Sequence, residues 1–113
     1  MVAKNRLFQA PPYPVEQALK RLGGDLRTAR IRRRLTIAEV AQKIGTGPRP
    51  VMDAEKGKAS TAIAVYVALL WVYDLLQPLN EVANPLEDEQ GLRLAAIRQK
   101  ARVRKSSGLD SDF

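Results

Sequence analysis

Between Val15 and Leu35 the apolar residues Leu19, Leu22, Leu26 and Ala29 recur at steps of three and four, a single stripe that predicts an amphipathic helix. Gly23-Gly24 interrupts the stripe. Each glycine costs about 1 kcal/mol relative to alanine in a helix, and close packing against another helix is one reason to tolerate that. Thr36-Ile37-Ala38-Glu39 has capping-box spacing: the Thr36 hydroxyl accepts from the Glu39 amide, and the Glu39 carboxylate reaches back to the Thr36 amide. The helix it starts places Ile37, Val40, Ala41 and Ile44 on one face, and Gly45 ends it as a residue free to take positive φ. A tight turn, Gly45-Thr46-Gly47, leads to a second short helix carrying Val51, Ala54 and Glu55 and stopped by Gly57. Its prolines place its start at Pro50, because a proline disfavours helical backbone in the residue before it, here Arg49.

Ser60 or Thr61 can cap the next helix, with Ile63, Val67, Leu70 and Trp71 as its buried face. Asp74 to Val82 reads as a short final core helix, bent or started by Pro78. Asn84-Pro85-Leu86-Glu87 is a further start signal, with a cap residue, a first-turn proline and an acidic first turn. The helix after it runs from acidic Glu87-Asp88-Glu89 to basic Arg102, Arg104 and Lys105, an order that suits the helix dipole. Before all this, Pro11, Pro12 and Pro14 favour extended backbone. The pattern therefore predicts an all-α chain with an extended arm over 1–14, a five-helix domain over 15–83, a C-terminal helix over 84–105 and a flexible tail over 106–113. No strand pattern or internal repeat is present.

Charge adds a direction. Nineteen Lys and Arg against 12 acids give +7, and five arginines fall in the eight residues from Arg27 to Arg34. A solvated helix face is the ordinary use of such a run; a polyanion partner is the functional one, since each neutralised phosphate releases counterions. Charge by itself does not separate nucleic acid from an acidic membrane or an acidic protein. Cysteine and histidine are both absent. That removes disulfides, thiolate metal sites and the commonest general base and zinc ligand. No cofactor, no metal and no enzyme activity are expected; a small metal-dependent nuclease is the competing class, and the Glu87-Asp88-Glu89 run reads as a helix start. The longest apolar run, Ala62 to Tyr73, has 12 residues, too few to span a bilayer. With no signal-peptide pattern at the start, a soluble cytoplasmic protein without membrane partners is expected.

Two short helices joined by a glycine turn, with Ala41 in the first, Gly45 in the turn and Val51 in the second, have helix-turn-helix spacing. An ordinary helical hairpin has the same pattern. Over Leu26 to Lys58 the chain resembles the phage-repressor (Xre-type) helix-turn-helix family. The likeness is carried by Arg30-Ile31, Leu35-Thr36-Ile37-Ala38-Glu39-Val40-Ala41-Gln42-Lys43-Ile44-Gly45, Val51, Glu55 and Gly57. The resemblance implies a phage-repressor-like domain in which Arg30 and Glu55 form a structural ion pair and do not touch DNA. The flanks, Ala64-Val65-Tyr66-Val67-Ala68-Leu69-Leu70-Trp71 and Asn84-Pro85-Leu86-Glu87-Asp88-Glu89-Gln90-Gly91-Leu92 followed by a basic helix, look like HipB-type antitoxins. Asp110-Ser111-Asp112-Phe113 suits the same subgroup. That implies a homodimeric transcriptional repressor on palindromic double-stranded operator DNA, with a HipA-like kinase toxin as second partner. A phage-type repressor without a toxin, or a protein-binding adaptor that lost DNA affinity, are the alternatives.

The chain departs from the family in the recognition helix, Gly47-Pro48-Arg49-Pro50-Val51-Met52-Asp53-Ala54-Glu55-Lys56, where prolines stand at two first-turn positions that usually carry amide or hydroxyl side chains. They delete N–H donors that would grip phosphate. Base reading then narrows to few side chains. Arg49 can pair bidentately with guanine; it can equally be a phosphate clamp or a free surface arginine. Met52 can touch a thymine methyl or fill space. Asp53 can accept from cytosine N4 or serve a structural or negative-selection role. Thr46, Gly47, Lys56 and Lys58, with the Ile37 amide, are placed to meet phosphates. Lys4 and Arg6 of the arm can enter a minor groove or form a basic tail. Trp71, Tyr73, Leu75, Leu76 and Leu79 are expected in the core, with any exposed member forming the dimer contact. Residues 87–113 are the expected partner-binding segment, Phe113 being able to fill a pocket on the kinase.

Overall fold

The computed structural model describes residues 5–110, with side chains to Lys105. The chain is all-helical over these residues and divides into two compact units, one ending at Leu76 and the other beginning at Gln77. The first unit holds α1 (Arg6–Gln9), α2 (Tyr13–Arg32), α3 (Ile37–Ile44), α4 (Pro48–Glu55) and α5 (Ile63–Val72). The second holds a 3-10 turn (Gln77–Glu81) and α6 (Glu89–Asp110).

The core of the first unit is small and made by four helices. Leu26 and Ala29 come from α2, Val40 and Ala41 from α3, Val51 and Ala54 from α4, Tyr66 and Leu69 from α5, and Tyr73 follows α5. Leu19, Leu22, Leu35, Ile37, Ile44 and Leu70 pack around it. α2 and α4 meet with almost no clearance: a Cβ on Gly23 would lie 2.5 Å from the Ala54 carbonyl oxygen and 2.6 Å from the Gly57 nitrogen. Gly57, at φ +70°, faces the Leu19 carbonyl in the same way. Gly24, by contrast, meets nothing within 4 Å. One glycine of the pair is required by packing and the other is not.

Several expected boundaries move. The arm is not extended throughout: Asn5 Oδ1 accepts from the Leu7 amide at 2.9 Å and starts the single turn of α1. The long helix begins at Tyr13, before Val15, because Pro14 falls in its first turn, where a missing N–H has no partner to lose. It ends at Arg32, with Arg34 in left-handed backbone at φ 55° and the Leu35 amide donating to the Arg30 carbonyl. α4 starts at Pro48, two residues before Pro50; Gly47 is extended, and Pro48 carries the φ that a first helical residue needs. Neither Ser60 nor Thr61 caps α5, whose cap position is Ala62, without a side-chain bond.

The expected inner face of α5 is corrected as well. Tyr66, Leu69 and, beyond the helix, Tyr73 are buried, whereas Ile63 is 75 % and Trp71 62 % exposed. The segment Ala62–Tyr73 is apolar on every side, so periodicity carries no information about which side turns inward. The fifth core helix expected over Asp74–Val82 is only a five-residue 3-10 turn with nothing buried, and it lies in the second unit.

In that unit Asn84 Oδ1 accepts from Leu86 N at 3.0 Å, which closes a turn. The helix start belongs instead to Asp88, whose Oδ1 accepts from Gly91 N at 3.0 Å. Pro85 therefore precedes the helix rather than opening it. α6 continues through residues 106–110, where a flexible tail was expected. Lys4, and Phe113 with its expected pocket contact, lie outside the described residues.

Candidate nucleic-acid interface

The site is built on α3 and α4. The α3 start is a complete capping box, with Glu39 N donating to Thr36 Oγ1 and Thr36 N donating to Glu39 Oε1, both at 3.1 Å. The bond from the Thr36 amide, then the Thr36 hydroxyl, holds the Glu39 carboxyl below its usual range. The Ile37 amide, in the first turn, has no acceptor within the helix. At the other end Gly45 takes φ 82° and the Thr46 amide donates to Ala41 O at 2.9 Å, a Schellman closure that turns the chain sharply. Thr46 is half-buried in the turn and Gly47 leads into α4.

Val51 and Ala54 point inward from α4. Glu55, next to them, meets Arg30 in a two-pronged pair: Arg30 Nε to Glu55 Oε2 at 2.6 Å and Arg30 Nη2 to Glu55 Oε1 at 3.1 Å. Only 12 % of the arginine and 6 % of the glutamate side chain is exposed. Arg30 Nη1 also donates to the Leu35 carbonyl at 3.0 Å, so one guanidinium ties α2 to α4 and to the chain entering α3. The hydrogen bond to Glu55 raises the Arg30 pKa further above its already high value, against the opposing effect of burial.

The outer face of α4 carries Pro48, Arg49 and Met52, and Lys56 follows at its C-cap, all exposed. Among Pro48, Arg49 and Pro50, only Arg49 has a backbone N–H. Ile37, Met52 and Lys56 meet in one groove together with Arg27, which the Arg30–Glu55 pair also lines. Lys58 lies past the helix end and is exposed. Asp53 is half-buried and holds Arg49 Nε at 3.3 Å and Lys58 Nζ at 3.9 Å. The groove can receive an anion against Arg27 and Lys56, while Arg49 stands clear of it with 76 % of its side chain exposed.

Three residues here were not singled out from the sequence. Arg27 lines the groove; its position three before Arg30, hence on the same side of α2, was the available signal. Arg33 is structural: it donates to the Ala29 carbonyl and to the Tyr73 carbonyl, each at 2.9 Å, with its guanidinium 5.5 Å from the Tyr73 ring centre. Tyr66 Oη donates to the Lys58 carbonyl at 2.8 Å and anchors the segment after α4. Neither contact leaves a mark in local sequence.

Arg6 belongs to the helical turn α1, and that segment is not an extended arm. Of the residues expected in the core, Tyr73 is 1 % exposed, but Trp71 is largely exposed, Leu75 is partly exposed, Leu76 is half-buried, and Leu79 in the second unit is exposed. Burial pushes the Tyr73 phenol up to about 12, with the nearby Glu55 adding to the shift and Arg30 and Arg33 opposing it; its hydroxyl has no hydrogen-bond partner among the described residues.

Comparison with known protein families, curated proteins and solved structures returns no match for this chain. Among the described residues no helix is long and apolar enough to cross a membrane.

Proposed function

We propose that this protein is a sequence-specific repressor of transcription, in which α3 and α4 form a phage-repressor-type helix-turn-helix and α4 enters the major groove of operator DNA. The observation that carries this reading is the outer face of α4. Arg49, Met52 and Lys56 project from a helix whose inner face is locked by Val51, Ala54 and the Arg30–Glu55 pair, and the same face borders a groove holding Arg27 and the start of α3. A rigid helix with a cationic outer face suits base reading. Cations and a free amide beside it suit phosphate, which fixes register without reading sequence. Thr46, Gly47 and Lys58 flank the same helix. In this role the protein is not an enzyme.

The resemblance to HipB-type antitoxins extends the proposal to a cytoplasmic homodimer that represses its own operon and binds a HipA-like kinase. Exposed Trp71 and Leu75 supply apolar surface for the dimer contact. In α6, Leu92, Leu94, Ile97 and Val103 stand exposed among Arg98, Lys100, Arg102, Arg104 and Lys105, a composition that suits partner binding.

Fluorescence anisotropy of the full chain on its own upstream DNA, titrated with salt, tests the reading. Tight binding with a steep negative slope of log K against log salt is expected. A flat slope and weak binding would favour the adaptor reading, which rests on the two amide donors that Pro48 and Pro50 delete from the start of α4.

A further inference from the structure

Asp53 is an odd residue for a helix that faces phosphates. A carboxylate there is repelled by the DNA backbone, and only 18 % of its side chain is exposed, too little to reach a base edge freely. Its two oxygens are divided between two cations from opposite ends of the segment: Oδ1 faces Arg49 Nε at 3.3 Å, and Oδ2 faces Lys58 Nζ at 3.9 Å. The Lys58 amide also donates to the Asp53 carbonyl at 3.1 Å, which keeps that lysine beside the helix end.

The contact on Arg49 is made through Nε. Guanine is read end-on, by the two terminal nitrogens of a guanidinium against O6 and N7. With Nε the nitrogen nearest the carboxylate, the terminal fork of Arg49 stays free, and the negative charge lies behind it. Phosphate is different. A backbone oxygen brought up to Arg49 or Lys58 also comes near the Asp53 carboxylate that the two cations share, and its negative charge is repelled there. We propose that Asp53 is a specificity-determining residue that works through Arg49: it aims the arginine at a guanine and penalises non-specific grip on phosphate. The inference rests on the DNA-binding reading above and assigns Asp53 a positioning role, with no base contact of its own.

Selection from a randomised duplex library with the full chain supplies the preferred site, and anisotropy then gives its affinity relative to a shuffled duplex. In Asp53→Asn, an almost isosteric change, binding to the shuffled duplex should strengthen. The preferred-to-shuffled ratio should fall at least about fivefold, the lower end of what one bidentate base contact supplies. Repeated in an Arg49→Ala background, Asp53→Asn should leave the ratio unchanged, because the group it aims is gone; such non-additivity marks residues that act as a unit. The melting temperature serves as the control for folding. An unchanged or higher ratio in Asp53→Asn, or the same fall with and without Arg49, overturns the inference while leaving DNA binding intact. A wild-type chain that enriches no duplex overturns both it and the repressor reading.

Discussion

Removing the carboxylate of Glu55 is the sharpest perturbation of this fold. In Glu55→Ala the Arg30 guanidinium keeps its bond to the Leu35 carbonyl at 3.0 Å but loses both bonds to α4, at 2.6 and 3.1 Å. It is left as a charge with 12 % of its side chain in water. Breaking a buried pair on one side costs about 3–5 kcal/mol, and the residual exposure of the arginine favours the lower end. For a unit of this size each kcal/mol moves the melting temperature by about 4–8 °C. A drop of at least about 12 °C is therefore expected in a thermal melt followed by circular dichroism, with a matching loss in urea midpoint. The paired replacement Arg30→Met with Glu55→Leu should recover most of that loss, since exchanging both partners for apolar groups removes the stranded charge. A Glu55→Ala melting temperature within about 2 °C of the parent would refute the reasoning.

The glycine pair gives opposite signs at adjacent positions. Gly23→Ala should destabilise severely, because the new Cβ would meet backbone atoms of α4 and Gly57 at 2.5–2.8 Å, whereas Gly24→Ala should stabilise by about 1 kcal/mol; equal effects in urea denaturation would contradict the packing described. Tyr73→Phe removes a buried hydroxyl without a partner and should be neutral or stabilising at pH 7. The phenol keeps its proton up to about pH 12 when folded but loses it near 10 when unfolded, so it contributes a loss of stability as pH rises through that window. The advantage of Tyr73→Phe should accordingly grow between pH 10 and 12, and a constant difference across that range would count against the shift. On the proposed repressor reading, Arg49→Ala should weaken DNA binding and leave the melting temperature nearly unchanged, as expected of a side chain 76 % exposed; unaltered binding would remove Arg49 as a reader.

Local patterns determined much of this protein. The stripe Leu26–Ala29, the Thr36–Glu39 capping box, the Gly45 turn and the inward positions Val51 and Ala54 each depend on neighbours within a turn or two of chain, and the structure has them where spacing places them. Cation positions on α4 were legible for the same reason, since i, i+3 and i+4 steps alone define a helix face. Tertiary structure decided the rest. Which side of α5 turns inward was settled only by the space left between α2, α3 and α4, because a helix apolar all round has no phase of its own. Gly23 and Gly24 are alike in sequence and differ only in that one of them abuts another helix. Arg30, whose pairing the family resemblance implied, and Arg33, which nothing in the sequence marked, became structural while Arg27 stayed at the groove, although all three sit in one basic run. What separates them is the identity of partners 25 and 40 residues away. Short-range sterics and hydrogen bonding repeat wherever a motif occurs, whereas a long-range contact exists only once the whole chain has closed around it.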